Sequence, residues 1–511
     1  MSSLHPTTAG STLADCARVA DGRVTGDGSV VVRGVTLDSR AVAPGDLYAA
    51  LPGANVHGAS FASSALASGA VAVLTDAPGL ALVLADGADV PVVVVPDPRA
   101  VLGAVSAHVY GTTHLPVRMV GVTGTNGKTT TAYLLASALE ALGRTVGLIG
   151  TVETRIGAER VKSVRTTPES CDLHRLLAVM AERSVEDCVM EVSSHALALH
   201  RVDAVTYDIA LFTNLSQDHL DFHGDLETYF AAKASLFTPE RARRAVVCVE
   251  DPWGRRLAAE TSIPRVTLGH RAGPGEPSPD YVVEEDGTDL AFVLTGPDGL
   301  RLAMRSALPG SFNVMNTALA AVALLELGHP VGDVEAAVRT RPHVPGRMER
   351  VVVEGEDAPL AVVDYAHTPD AVAAALAALR TPAGGQLVVV LGAGGGRDVG
   401  KRAAMGAAAA SADVVIVTDD NPRGEDPAAI RAAVLDGARR AGSTARIEEV
   451  PDRRAAIERA VEVAADADRS ATVAVVGKGH ETGQEVDGVV HPFDDRVELR
   501  QALHRRLGGR G

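Results

Sequence analysis

Short runs of Val, Ile, Leu and Ala alternate along most of the chain with longer stretches of helical periodicity. That alternation predicts an α/β protein built on largely parallel sheets. The strands it predicts are Val92–Val95, Val117–Val122, Cys188–Val192, Ile209–Phe212, Ala245–Val249, Leu387–Leu391, Val414–Val417 and Val473–Val476. Each run is short and flanked by turn-forming residues, which favours strand over helix. Tyr281–Arg305 alternates in the manner of hairpins, with Gly296-Pro297-Asp298-Gly299 as a turn, and Gly269–Pro279 reads as a surface loop.

Two breaks divide this pattern. Near Gly111–Pro116 a helical stretch gives way to a strand, and near Arg341–Arg347 two prolines and a glycine precede a fresh run, Glu349–Val353. With 511 residues, and roughly 100–200 residues per domain, three domains are expected: 1–115, 116–345 and 346–511. The segment around Arg341–Arg347 is a hinge candidate. No internal repeat or coiled coil stands out.

The balance of 48 Lys plus Arg against 64 Asp plus Glu leaves a net charge of −16. A nucleic-acid partner needs a broad basic face, so none is expected. Aromatics at 3% also argue against base stacking. An anionic ligand would need local cations to offset the overall field. Cys16, Cys171, Cys188 and Cys248 form no C-x-x-C pair, which excludes a zinc framework or disulfide scaffold. The first residues lack the basic and apolar regions of a signal peptide, and apolar runs such as Ala371–Leu379 are too short to span a membrane. A soluble cytoplasmic protein without a membrane partner is expected.

The chemistry begins where Val117–Val122 runs into Thr123-Gly124-Thr125-Asn126-Gly127-Lys128-Thr129-Thr130, followed by helical pattern through Leu142. Strand, glycine loop, Lys-Thr and helix form the recipe for a polyphosphate site. Glycines let backbone N–H groups converge on phosphate oxygens, and the helix N-terminus adds its dipole. The lysine reaches the β- and γ-phosphates, and the Thr129 hydroxyl can ligate Mg²⁺. Val122 replaces the first glycine of the general pattern. Gly392-Ala-Gly394-Gly-Gly-Arg397 only imitates a dinucleotide fingerprint, because Arg397 takes the place of its last glycine.

Gly124–Thr130 resembles the phosphate loop of the Mur ligase family, ATP-dependent amide-forming enzymes of peptidoglycan precursor synthesis, and of the related folylpolyglutamate synthases. The same order and spacing continue in Met190-Glu191-Val192-Ser193-Ser194-His195, Asn214–His223, Tyr229-Phe230-Ala231-Ala232-Lys233, Asn313-Val314-Met315-Asn316, Pro345-Gly346-Arg347-Met348-Glu349 and Asp364–Pro369. Leu37-Asp38-Ser39-Arg40 and Pro44–Leu47 fit as well, so the resemblance covers nearly the whole chain.

The resemblance implies an N-terminal domain for a UDP-linked substrate, a central P-loop ATPase-like domain and a C-terminal Rossmann-like domain for the incoming amino acid. ATP would be held by Gly124, Thr125, Asn126, Gly127, Lys128, Thr129 and Thr130, with Asn316, Arg347, Asp364 and His367 near the nucleotide. Mg²⁺ would take Thr129, Glu191, His219 and Lys233 as a carbamate, and Lys128, Lys233 and His219 would be catalytic. Leu37, Ser39, Thr166, Thr167, Ser193 and Arg201 would contact the UDP-linked substrate. Two positions depart from several relatives: Leu199 stands in place of Gln, and Arg165 in place of Asn. Asp218 and Asp221 read as solvated polar residues outside the site.

Three polar loops follow strands of the third domain, where open α/β sheets bind ligands. They carry Arg397, Asp420-Asn421-Pro422-Arg423, and Gly477 with Glu481. D-N-P-R matches family members that add meso-2,6-diaminopimelate. Arg423 is a planar fork for the far carboxylate, Asp420 or Glu481 an acceptor for an ammonium, and Arg397 a partner for the other carboxylate. The implied reaction joins meso-diaminopimelate to the D-Glu carboxylate of UDP-N-acetylmuramoyl-L-Ala-D-Glu through an acyl phosphate, by a monomeric enzyme. A lysine-adding ligase and a folylpolyglutamate synthase-like ligase are the enzyme alternatives. A nucleotide-dependent switch is the non-ligase one, though no N-K-x-D motif is present to read guanine.

Overall fold

The computed structural model describes residues 4–508 except 88, 274–276, 286–289, 341, 354–358, 381–383, 397 and 468–469. Every strand expected from the apolar runs forms, within a residue or two at each end. They are distributed over three large sheets.

The first sheet orders Arg23–Thr25, Val92–Val94, Ala72–Thr75, Asp46–Ala49 and Gly34–Thr36, parallel except for its first strand. The helix Pro98–Tyr110 ends at Gly111 in the left-handed conformation that a helix C-terminus favours. The chain then enters the second sheet through Arg118–Thr123. This strand lies between Asp187–Glu191 and Ile209–Phe212, parallel to both. The parallel run continues through Ala245–Cys248 and Arg265–His270 to Tyr281–Glu285. Its far edge turns antiparallel in Ala291–Thr295 and Arg301–Arg305. Phe292, Leu294, Leu302 and Met304 are buried there while their neighbours are not, the alternation that the sequence shows. The expected loop Gly269–Pro279 begins two residues late, because the strand Arg265–His270 absorbs Gly269; residues 274–276 lie outside the described residues.

The third sheet orders Glu349–Arg350, Leu360–Asp364, Thr472–Val476, Leu387–Leu391, Val414–Val417 and Arg446–Glu449. All but the first are parallel. Thr472–Val476, late in the chain, sits between two early strands, and such a switch of order opens a crevice at the carboxyl ends. Where the second region meets the third, Gly346 (φ 63°) crosses Gly479 (φ 53°); a β-carbon on Gly346 would lie 2.0 Å from the His480 nitrogen.

Candidate active site

The phosphate loop leaves the end of Arg118–Thr123 and feeds the helix Lys128–Ala141. Gly124 has φ 145° and a β-carbon there would lie 1.9 Å from Thr213 Oγ1, while Gly127 has φ 87° and one would lie 2.5 Å from Asn316 Oδ1. Only glycine fits either position. The loop is pinned from behind: Thr125 N donates to Asn214 O (2.8 Å) and Asn126 N to Asn214 Oδ1 (3.0 Å). No side chain caps the helix, so its first-turn donors face the cavity as an anion site.

Two lysines share one carbonyl behind this loop. Lys128 Nζ donates to Gly124 O and Thr125 O, both at 2.9 Å, and Lys233 Nζ donates to Gly124 O at 2.7 Å. Lys233 is 1% exposed, on the helix Leu226–Ala234, with its ammonium 4.6 Å over the Tyr229 ring. Burial, reinforced by the charge of Lys128, holds its pKa well below the ordinary lysine value. Burial also lowers that of Lys128, against the pull of Glu191 and Asp218.

Glu191 ends its strand 1% exposed. Its carboxylate accepts from Thr129 Oγ1 (2.9 Å), Thr151 N (2.8 Å) and Thr151 Oγ1 (3.0 Å). Arg347 Nη2 donates to Thr129 Oγ1 at 3.1 Å. Thr166 Oγ1 lies 3.0 Å from Thr151 Oγ1, and Thr167 Oγ1 donates to Glu191 O (2.8 Å) while accepting from Ser193 N (3.1 Å). Thr151 is therefore part of the site, although nothing in its sequence neighbourhood marked it.

His219 stands at φ 56°, its ring edge-on to His195 with centroids 4.7 Å apart. Burial, with His195 and the two lysines, lowers its pKa to about 3, so the ring is neutral at physiological pH. Its neighbour Asp218 corrects the sequence reading. It is 4% exposed rather than solvated, and it accepts from Lys401 Nζ at 3.2 Å with His367 Nε2 at 3.6 Å. Burial would raise its pKa, but the neighbouring His367, aided by His219 and Lys401, holds it well below the usual carboxylate range. Asp218 thus ties the second region to the third. Asp221 is exposed, yet it borders the same cavity.

Beside the start of the helix Lys128–Ala141, Asn316 Oδ1 accepts from Thr131 Oγ1 (3.3 Å). Asp364 accepts from Met348 N (2.7 Å) and Ala366 N (2.8 Å), and burial raises its pKa. It thereby holds the segment carrying Arg347, whose guanidinium stacks 4.3 Å over Tyr365. Arg201 pairs with buried Glu169 at 2.9 Å; Arg99 and Arg165 reach the same carboxylate at 3.2 and 3.9 Å. One carboxylate among three guanidiniums leaves two positive charges in excess. Arg99 also donates to the Leu199 carbonyl at 3.3 Å, a main-chain contact independent of the side chain at that position.

In the third region Glu481 Oε2 accepts from Asn421 Nδ2 at 2.9 Å and from Lys478 Nζ at 3.1 Å. Arg423, at φ 55°, donates to Gly395 O and lies 3.3 Å from Glu485. Asp420, Asn421, Arg423, Gly477 and Glu481 border one cavity of about 970 Å³ that also takes in Thr125–Thr130, Glu191, Arg201, His219 and Lys233. Four expected residues, Leu37, Ser39, Pro422 and Gly124, lie off the wall of this cavity. Leu37 and Ser39 do not border this cavity; Leu37 packs on the first region's core and Ser39 lies near Tyr48. Pro422 is absent from its wall, and Arg397 lies outside the described residues. Gly124 contributes its inward carbonyl rather than wall surface.

Models of known families match in three successive stretches: Mur ligase family, catalytic domain, over residues 31–110; Mur ligase middle domain over 122–325; and Mur ligase, glutamate ligase domain over 346–497. The UDP-N-acetylmuramoyl-L-alanyl-D-glutamate–2,6-diaminopimelate ligase of Streptomyces coelicolor is 51% identical over 488 residues, 94% of each chain. The UDP-N-acetylmuramyl-tripeptide synthetase of Leifsonia xyli is 47% identical, covering 93% of this chain and 92% of its own. A solved UDP-N-acetylmuramoyl-L-alanyl-D-glutamate–2,6-diaminopimelate ligase superposes with a TM-score of 0.65 at 31% identity, over 98% of this chain and 99% of that one. The MurF ligase of Thermotoga maritima in complex with ADP shares the fold, with a TM-score of 0.62 at 19% identity over 94% and 99%. A shared phosphate loop, one cavity spanning two regions and relatedness along nearly the full length lead to one conclusion: the chain belongs to the Mur ligase family.

Proposed function

We propose that this chain is the ATP-dependent ligase that joins meso-2,6-diaminopimelate to the D-Glu carboxylate of UDP-N-acetylmuramoyl-L-Ala-D-Glu, a step of peptidoglycan precursor synthesis. The observation that carries the reading is the single cavity bordered both by the phosphate loop at Lys128 and by Arg423 and Glu481. Residues 1–115 would bind the UDP-linked acceptor with Leu37 and Ser39, 116–345 the nucleotide, and 346–511 the amino acid. Its relatives of the same length support this choice of substrates.

A carboxylate is a poor electrophile, so the acceptor oxygen first attacks the γ-phosphorus of ATP and ADP leaves. The amine then attacks the acyl phosphate carbon, the C–O bond breaks, phosphate departs and the nitrogen loses a proton. Catalysis is chiefly the alignment of anions that repel one another. Lys128 and the uncapped helix start would neutralise the β- and γ-phosphates. Asn316, Arg347, Asp364 and His367 would position the nucleotide, and Thr166, Thr167, Ser193 and Arg201 the acceptor. Arg423 would take the far carboxylate of the amino acid and Glu481 its ammonium.

The donors around Lys128 suit a magnesium ion: the Glu191 carboxylate and Thr129 hydroxyl are hard oxygens 2.9 Å apart. Among the described residues no group of three His, Cys, Asp or Glu side chains is arranged to hold a metal ion by itself; the remaining donors would be His219 and a carbamate on Lys233. Bound there, the ion would offset charge on the phosphate oxygens. Lys233 is suited to the modification because burial favours its neutral amine; attack on CO₂ gives the carbamate and releases one proton. That change places an anion beside Lys128.

The test is phosphate release by purified protein with ATP, magnesium and the UDP-muramoyl dipeptide, comparing diaminopimelate, lysine and no amino acid. Release that depends on diaminopimelate supports the reading. Equal turnover of lysine overturns the specificity, and release without any acceptor dipeptide overturns the ligase itself.

A further inference from the structure

The loop Gly477–Glu481 lends Gly477 and Glu481 to the cavity wall, but Lys478 lies behind them, 0% exposed. Its ammonium donates to Asn421 Oδ1 (2.9 Å) and Glu481 Oε2 (3.1 Å), with Asp420 Oδ1 at 3.8 Å. Asn421 Nδ2 donates to the same Glu481 oxygen at 2.9 Å. Both donors therefore engage Oε2, and Oε1 has no hydrogen-bond partner among the described residues. Asn421 is held in turn, its Oδ1 accepting from Glu485 N at 3.0 Å.

The local charges nearly cancel. Arg453, also 0% exposed in its side chain, pairs with Asp495 at 2.7 Å and faces Asp420 at 3.8 Å. Asp420, Glu481 and Asp495 against Lys478 and Arg453 leave one negative unit. Exchanging a buried ion pair for well-packed apolar side chains is often neutral for stability. Fold stability by itself therefore gives no reason for a lysine here, whereas the orientation of Glu481 does.

We propose that Lys478 is a positioning and specificity residue for the incoming amino acid, holding Glu481 by one oxygen so that the other meets the ammonium, and trimming the pocket to a single negative charge. This rests on the reading of the pocket as the amino-acid site. Losing the lysine charge loosens Glu481 and leaves two negative units, which favours a more cationic ligand over a zwitterionic chain end.

The test is steady-state kinetics of the full-length enzyme with Lys478→Met, which keeps bulk without charge, and Lys478→Ala, which opens a space. In Lys478→Met the KM for diaminopimelate rises about tenfold to a hundredfold, the scale of a lost charge-assisted hydrogen bond. The KM for ATP stays within about twofold, and the preference for diaminopimelate over lysine falls. Propylammonium partly restores Lys478→Ala, and propanol at equal concentration does not. An unchanged amino-acid KM in Lys478→Met, or equal rescue by propanol, overturns the proposal. So does loss of normal ATP affinity in both Lys478→Met and Lys478→Gln, because the lysine would then be holding the fold. Turnover by the unmutated enzyme reports separately on the reading beneath: if it ligates lysine, the series is read on the lysine KM, and if it ligates no amino acid, both fall.

Discussion

Two pairs of cations serve the two halves of the cavity, and they are held in opposite ways. Lys128 and Lys233 donate to neutral backbone oxygens, sharing Gly124 O, and both have lowered pKa values. Lys478 and Arg453 are fully buried, yet each faces carboxylates within hydrogen-bond or ion-pair distance. The first pair has only backbone acceptors; the second is already matched by carboxylates. On the reading proposed above, the half for polyanions leaves its lysines unmatched by carboxylates, whereas the half for a zwitterion balances its cations.

The largest expected effect breaks the unmatched pair. Lys128→Met should lower kcat by about 10²–10³, the loss seen when one preorganised donor to a developing anion is removed. Lys233→Ala should fall as far and regain part of its rate with added short carboxylic acids. Intact mass of the unmutated protein should show the carbamate; an unmodified lysine together with no rescue would remove Lys233 from the chemistry. Next comes the matched side. Arg423→Ala should raise the KM for diaminopimelate about tenfold to a hundredfold while leaving that for ATP nearly unchanged, and a parallel rise in both would merge the two halves that the comparison separates.

A smaller effect should come from the tie between the halves. Asp218→Asn weakens the contacts to Lys401 and His367. We expect kcat to fall about tenfold, with overall thermal stability little changed by calorimetry. The smallest concerns His270, held 2.7 Å from Glu250 and 3.0 Å from Glu285 at the cavity edge. The Glu250 hydrogen bond, against partial burial and with help from Glu285, raises its pKa to about 9. A raised folded-state pKa means the stabilisation is complete below the free value near 6.5 and is lost as pH rises through about 9. Between those limits Tm should fall by about 1–2 °C more than in His270→Gln.

Much of this was legible in the sequence for definite reasons. Parallel strands buried on both faces need unbroken Val/Ile/Leu runs, so Leu387–Leu391 and Val414–Val417 announce themselves. A phosphate loop needs glycine where the backbone turns left-handed, so Gly124 and Gly127 stand out as well. The residues that escaped reading act through partners far along the chain. Asp218 meets Lys401 183 positions away, and Thr151 meets Glu191 40 positions away. An aspartate in a loop looks the same whether solvent or a distant lysine faces it. Lys478 had a local signal, a lysine between two glycines at the end of a buried strand, but its role emerges only beside Asn421.

The crossing of Gly346 and Gly479 leaves no room for even a methyl group on either strand of chain. The connector into the last third of the molecule is therefore fastened to the loop that bears Glu481, one residue before Arg347. Any swing of that last third carries Arg347 and Glu481, and the stretches of cavity wall they form, together.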